Sequence, residues 1–565
     1  MTIRKHIFQT ALGLAVISGF SACDALDDTC PLMNDNSASG DSLHIRLTID
    51  TRGQNTRADN DRPNGGEKGD GWEFGTDDEN RIHDVCIFAY RGKAITELTA
   101  QEAGNITILA SGYANADAQT DQTGTEAGHT EYKGDDPAIV TADFAFYKGE
   151  KMTINDLQFI VVANVGDITE EVGSKVKDIF DYQTYSSWTV NNQGKPTKFA
   201  MSSTTNSYTL GGKGTKDDPI NYHIDIERTA ARIDFDFAGA TFDTESSSLD
   251  YVVKNAVGTL KIADFYLTHV KIVNGCVLPS YMLKRVAKDV NGTSGFQYLG
   301  DETFSKDGTA TNYVIDPRTA LRSGSFDQSW PDSWYAGTTM YALLAETYAD
   351  DAPIGTTQQF KSHIDWAATI TTVNGYTIGY VNENTFDKDQ TVSAYATGLQ
   401  LKGIYVPAKV YKAYHAEEGE LTESTTYQKG DDFWRVLCTD DPAEEKCLYF
   451  DNENAAKDYC DYYNKVFKDE DGNTVVEGHS GIASYTKYTN GLCYYYVWLR
   501  HANNGDDGVH GPMEFGIVRN NIYRVQVSKI SGPGTVKPDP RNPEYLKAII
   551  YVRKWREVTH PVIPV

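Results

Sequence analysis

The sequence predicts an all-β protein with few short helices, and three observations predict it. Aromatic residues reach 12% of the chain, with 35 Tyr and 48 Gly, an excess that suits pleated sheets and turns better than helical bundles. Apolar runs are short, rich in β-branched and aromatic residues, and bounded by turn formers. Near both ends the apolar residues alternate with polar ones at a period of two.

Charge and length narrow the class further. The chain carries 79 acidic against 52 basic residues, a net charge of −27 over 565 residues. That excess argues against nucleic acid or any other polyphosphate as partner. The length allows roughly two to four domains at about 100–200 residues each.

The leader comes first. Arg4 and Lys5 precede an apolar run over residues 11–20, too short for a permanent membrane helix but the right size for a signal-peptide core. Residues 1–22 are therefore expected to be a signal peptide. The run ends in Phe20-Ser21-Ala22-Cys23, which resembles a lipoprotein processing site, with Cys23 as the expected lipid-bearing first residue. No later apolar stretch reaches the roughly 20 residues of a membrane helix. The remaining seven cysteines are an odd number over a long chain and form no dense disulfide framework. Cys438 and Cys447 lie close enough in sequence to pair across a loop, and no cysteine or histidine stands at zinc-ligand spacing. No metal and no cofactor is expected.

The strands follow in order. Residues 43–50 (LHIRLTID) put Leu43, Ile45, Leu47 and Ile49 on one face and His44, Arg46, Thr48 and Asp50 on the other, a half-buried strand. Residues 51–80 are rich in Gly, Asp, Asn and Arg, and read as an accessible loop containing Arg52, Arg57 and Arg62. Residues 85–90, 144–147 and 157–165 read as core strands, residues 114–137 as a surface loop. One helix is expected where Thr169 can cap a segment carrying Val172, Val176, Ile179 and Phe180. Residues 224–237 resume strand character and close a first domain at about residue 237. Further strands are expected at 259–273, 340–348, 376–380, 401–406, 434–437, 494–499 and 522–530, with a second helix at 452–467. A Pro/Gly-rich linker, 532–543, then leads to a C-terminal strand region. There Leu546, Ala548, Ile550 and Val552 alternate with Lys547, Ile549, Tyr551 and Arg553, followed by Trp555 and Val558.

Catalytic signals are weak. Residues 211–216 have the glycines and lysines of a phosphate loop without its spacing or flanking elements. Residues 478–481 miss the nucleophile-elbow frame by one residue. Residues 469–473 lack the calcium-loop pattern. Acidic pairs such as Asp217-Asp218 and Asp440-Asp441 carry little information among 79 acids. No enzyme is expected, and no catalytic residue is assigned.

Several segments together resemble the type V pilin (fimbrillin) family of Bacteroidales, especially the stalk subunit of the minor fimbriae. They are the site at Cys23, the first strand followed by Arg57-Ala58, residues 157–164, Ile226-Glu227-Arg228 with Ala231-Arg232, residues 492–499 (LCYYYVWL), residues 518–527 (VRNNIYRVQV), and residues 552–555 after the Pro-rich linker. The resemblance implies two tandem transthyretin-like β-sandwich domains, at 58–237 and 238–531. Residues 23–57 would be a propeptide holding the leaving strand, and 532–565 the linker and donor strands. It also implies a lipidated precursor at the cell outer membrane, cut by an arginine-specific protease between Arg57 and Ala58, or alternatively after Arg52. The strand of Leu43, Ile45, Leu47 and Ile49 would then leave, and the donor residues Leu546, Ala548, Ile550, Val552, Trp555 and Val558 of another subunit would replace it. Partners would be other copies and accessory fimbrial subunits, and the product an extracellular fimbrium contributing to adhesion and biofilm formation.

The physics of such an exchange does not depend on the family. A sandwich that loses a strand exposes unpaired N–H and C=O groups above an apolar trough, and strand addition satisfies both. Two other readings compete. In one, residues 43–49 are the permanent first strand of an ordinary sandwich. In the other, the 35 Tyr and 8 Trp stack on sugars in a surface glycan-binding lipoprotein.

Overall fold

The computed structural model describes residues 42–51, 72–118, 129–133, 136–147, 157–184, 187–191, 196–204, 207–243, 245–246, 248–273, 275, 280–289, 292, 294–299, 312–317, 376–385, 396–439, 443, 446–464, 466–468, 474–476, 482–501, 513–537 and 545–556. The expected strand at 340–348, the turns at 469–473 and 478–481, and Asp440-Asp441 lie outside them. The described chain is built from strands with a few short helices. None of these helices is long and apolar enough to cross a membrane.

The N-terminal unit is one nine-stranded sheet. Its order is Ile108–Asn115, Asp84–Arg91, Leu157–Ala163, Met201–Ser203, Ile220–Arg228, Ser42–Asp50, Asp136–Tyr147 and His129–Lys133, with Tyr208–Gly211 branching from Ile220–Arg228. The strand Ile220–Arg228 joins two halves. Its residues 220–225 pair with the first strand, and Ile226, Glu227 and Arg228 pair with Met201–Ser203. Because Ile45, Leu47 and Ile49 from one half and Ile87, Phe159 and Val161 from the other share a single core, the sheet closes over itself. Phe159 and Tyr222 meet edge to face at 4.9 Å inside it. The opposite face of Asp84–Arg91 and Leu157–Ala163 is covered too, by helices Ala100–Asn105 and Val176–Asp181 and by Met282, Leu283 and Tyr298. Burial on both faces explains why these two strands read as continuous apolar runs rather than alternating ones.

The C-terminal unit pairs two five-stranded sheets around a second core. One runs Trp72–Phe74, Leu546–Arg556, Asn521–Ile530, Ala230–Phe237, Tyr376–Asn382; the other runs Thr241–Asp243, Ser248–Lys254, Lys261–Val273, Gly398–Pro407, Leu492–Trp498. Phe235, Tyr523 and Val525 of the first and Phe265, Leu401 and Tyr495 of the second lie in one apolar cluster. A third five-stranded sheet, Glu420–Glu423, Tyr411–His415, Leu448–Phe450, Phe433–Cys438, Ala483–Tyr488, lies in the chain between the last two strands of the second sheet and carries the helix Glu453–Tyr463.

Several expectations need correcting. Residues 224–237 are two strands broken at Thr229, and the second, Ala230–Phe237, pairs with Tyr376–Asn382 and Asn521–Ile530. The change of sheet therefore falls at Thr229, not near residue 237, and no Gly or Pro marks it. The supposed loop 114–137 contains the strand His129–Lys133 and the start of Asp136–Tyr147, which reaches back from the expected 144–147. Thr169 caps no helix: its hydroxyl donates to Asp167, and the helix begins after Lys175, though Val172, Val176, Ile179 and Phe180 are all buried as the pattern required. The second helix ends at Tyr463, and Phe467 belongs to the strand Val466–Lys468. Residues 532–537 are tied down rather than free. Thr535 bridges Tyr494, and the Tyr488 and Tyr495 hydroxyls donate to the carbonyls of Gly534 (3.0 Å) and Gly532 (2.7 Å).

Candidate functional site

The first strand, Ser42–Asp50, lies in the interior of its sheet. On one side Ser42 to Asp50 pair antiparallel with Tyr147 to Ile139; on the other Ile45 to Asp50 pair parallel with Ile220 to Asp225. A parallel neighbour means that a long stretch of chain separates the two strands, and here it holds most of the N-terminal unit. The inward residues Ile45, Leu47 and Ile49 are 1%, 0% and 0% exposed. At about 1.5–3 kcal/mol for each fully buried side chain, the three contribute roughly 5–9 kcal/mol. On the outward face Arg46 donates to both carboxylate oxygens of Asp143 at 2.7 and 2.6 Å, a half-exposed pair of small energetic weight. The backbone N–H groups of His44 and Thr51 donate to Gly214 and Ala138. The glycine-rich segment 211–216 is thus a surface turn that touches the first strand, with Gly212 and Gly214 at positive φ.

At its C-terminal end the strand carries a compact polar cluster. Asp50 pairs in register with Asp225, whose carboxylate lies 2.9 Å from His223 Nε2, and the ligand atoms of all three lie within 4.8 Å of one another.

The last strand, Leu546–Arg556, pairs antiparallel with Asn521–Ile530 and lies next to the short edge strand Trp72–Phe74 of its sheet. Ile550 and Val552 are buried in the second core, while Leu546 and Ala548 pack against it half-buried. On its other side, among the described residues, Lys554 to Arg556 pair parallel with Trp72 to Phe74. The four residues read as one face of the strand do face one core. Their burial is shallower than that of the first strand.

Cys23, Arg52, Arg57, Ala58 and Val558 lie outside the described residues. Leu43 and Trp555 are described as strand backbone only. The structure therefore brings together Ile45, Leu47 and Ile49 in one slot, and Leu546, Ala548, Ile550 and Val552 on one strand of the other unit.

Sequence reasoning missed the polar seam between the two units. Arg228, fully buried, donates to the Glu79 carbonyl at 2.8 Å and to Asn520 Oδ1 at 3.0 Å, and also to Asn80. Arg232 holds Glu79 at 3.1 Å and Asp234 at 2.9 Å, and the Tyr380 hydroxyl donates to Glu79 at 2.5 Å. The helix Asp77–Asn80, capped reciprocally by Thr76 and Glu79, is thereby locked between strands of both sheets. Arg519 makes a second buried pair, with Glu383 at 2.6 Å, and donates to the carbonyls of Met282 and Tyr281. The motif Ile226-Glu227-Arg228 with Arg232 was the available signal.

Residues 486–560 match the family described as major fimbrial subunit protein type IV, fimbrillin, C-terminal. That match spans the strands Leu492–Trp498, Asn521–Ile530 and Leu546–Arg556. No curated protein matches the sequence. Among solved structures, a fimbrilin from Porphyromonas gingivalis W83 is 14% identical, covering 91% of this chain and 98% of its own, with a TM-score of 0.33. The tip fimbrial protein Mfa3 of Porphyromonas gingivalis is 9% identical over 91% and 100%, with a TM-score of 0.32. A fimbrial assembly protein from Parabacteroides distasonis is 10% identical over 68% and 99%, with a TM-score of 0.23. Residues 486–560 are similar to the C-terminal part of fimbrillins, and the resemblance to the fimbrillin family, read first in the sequence, is borne out.

Proposed function

We propose that this chain is a structural subunit of a cell-surface fimbrium that polymerises by protease-triggered strand exchange, from a lipidated precursor anchored at Cys23. One observation carries the reading: the first strand fills a two-sided slot, yet the chain directly after it carries Arg52 and Arg57 within a Gly-, Asp- and Asn-rich sequence. Cleavage there converts an intramolecular strand into a noncovalent one. Its departure leaves Asp136–Tyr147 and Ile220–Arg228 with unpaired edges over an apolar trough, which an incoming strand of alternating character satisfies. The last strand supplies Leu546, Ala548, Ile550 and Val552 at the required period. Its shallower burial, and among the described residues its pairing along one side over 546–552, favour its release over that of the first strand.

The glycan-binding reading draws on the aromatic content. Tyr90, Tyr298, Tyr405, Tyr495, Tyr496 and Tyr523 are among the largest fully buried side chains, so these residues serve the cores.

The test treats purified precursor with an arginine-specific protease and runs the product unboiled on a denaturing gel. A ladder that disappears on boiling is expected, and deleting residues 545–565 removes it. Monomer alone after complete cleavage would overturn the reading; a ladder surviving the deletion would overturn the donor assignment.

A further inference from the structure

Cys438 in a strand of the third sheet and Cys460 in the helix over it share one side of that sheet, and Cys447, just before Leu448–Phe450, lies on the other. Along Phe433–Cys438 the side chains alternate. Trp434, Val436 and Cys438 pack into the small core beneath helix Glu453–Tyr463, whereas Phe433 and Leu437 face the main sandwich core. Val436 pairs with Leu448, so Cys447 stands one step further along, and its side chain lies in the main core. Cys438 and Cys447 therefore point to opposite faces, and the pairing that their sequence spacing allowed is corrected. Cys460, by contrast, is buried in the same small core that Cys438 packs against. Backbone connections bring the two close. Cys438 pairs in register with Ala483, whose N–H and C=O both bond the side chain of Asn464, at 2.7 and 2.8 Å. Asn464 caps the helix one turn beyond Cys460 and donates its own N–H to the Cys460 carbonyl at 2.9 Å.

We infer that Cys438 and Cys460, both thiols in this structure, are a thiol–disulfide pair that closes by exchange with a disulfide oxidant and pins the helix to its sheet. This goes beyond the strand-exchange reading and does not rest on it. The balance is simple: the Cys438 thiolate attacks the oxidant's S–S bond and releases one thiol. The Cys460 thiolate then attacks Cys438 Sγ in the mixed disulfide and releases the second. Two electrons pass to the oxidant, and each protein thiol loses its proton. Cys438 is the half-exposed partner and takes the first step. Burial pushes the Cys460 thiol up to about 11, with Cys438 adding to the shift, so closure is limited by the scarce Cys460 thiolate.

The full chain, incubated with oxidised glutathione, alkylated and digested with trypsin without reductant, tests this by mass spectrometry. Cuts after Lys446 and Lys457 place Cys438, Cys447 and Cys460 on separate peptides. The expected product joins the Cys438 and Cys460 peptides at a mass two hydrogens lighter than their sum and falls apart on reduction. Its formation rate rises about tenfold per pH unit above neutrality, following the thiolate fraction. Cys447→Ser leaves the joined peptide intact, while Cys460→Ser leaves Cys438 carrying glutathione. Recovery of Cys438 and Cys460 on separate peptides from the unsubstituted chain, or Cys438 joined to Cys447, overturns the inference.

Discussion

Replacing Leu47 by alanine probes the slot from inside. Leu47 is fully buried in the middle of the first strand, between Ala142 on one neighbour and Tyr222 on the other. A core Leu→Ala change costs about 2–5 kcal/mol, and the strand-flanked site has little freedom to collapse. Taking about 3 kcal/mol, and tenfold per 1.4 kcal/mol, the noncovalent strand left after cleavage is held roughly 100-fold less tightly. Arg46→Ala is the control, because its half-exposed pair with Asp143 is worth no more than about 1 kcal/mol. The assay cleaves precursor carrying a label ahead of residue 42, adds excess peptide spanning 545–565, and follows loss of label from the folded fraction by size exclusion. Release accelerated roughly 100-fold by Leu47→Ala and less than about 5-fold by Arg46→Ala is the expected result. Equal release in both variants, or a larger effect from Arg46, refutes the inward burial of this strand as what holds it.

Other consequences can be checked together. Arg228→Ala strands the Glu79 carbonyl, Asn80 and Asn520 in a buried seam, and should cost about 3 kcal/mol or more in calorimetric unfolding; a loss below about 1 kcal/mol would contradict the seam's role. Hydrogen exchange in the uncut precursor should protect Ile45 to Ile49 more strongly than Leu546 to Val552, since the second strand is buried less deeply and, among the described residues, paired along one side there; equal protection would contradict the proposed order of release. The Glu102 carboxylate, bound by Lys93 and by the Thr99 N–H and hydroxyl at the cap of helix Ala100–Asn105, is lowered to about 2. A depressed folded value contributes stability above the ordinary carboxylate range and loses it as pH falls from about 4 towards 2. Amide protection factors in that helix, corrected for intrinsic exchange, should therefore fall across this window in the native chain and show no such step in Glu102→Gln.

Much of the fold was legible where one physical signal dominated. The alternation of Leu43 to Asp50 is a surface-to-core pattern, and Ile45, Leu47 and Ile49 do face inward. What alternation cannot reveal is the neighbour: the parallel pairing with Ile220–Arg228 joins residues about 175 positions apart, and only the closed sheet brings them together. Residues 129–143 were hidden for a different reason. Their polar residues look like loop, yet Ala138, Ile139 and Val140 are buried and the backbone pairs on both sides of Asp136–Tyr147. The boundary at Thr229 was invisible because two core strands meet there without a linker. Arg228 and Arg232 were noticed only through resemblance, since nothing in one sequence says that an arginine will be fully buried against a helix carbonyl and two asparagines.

Imaging the protease-assembled fibre by electron cryo-microscopy tests the central claim most directly, because the slot between Asp136–Tyr147 and Ile220–Arg228 must contain something. Residues 546–556 of a neighbouring copy lying there, with their own edge of Asn521–Ile530 vacated, is the predicted result. Residues 42–50 of the same copy still in place within an assembled fibre would contradict it.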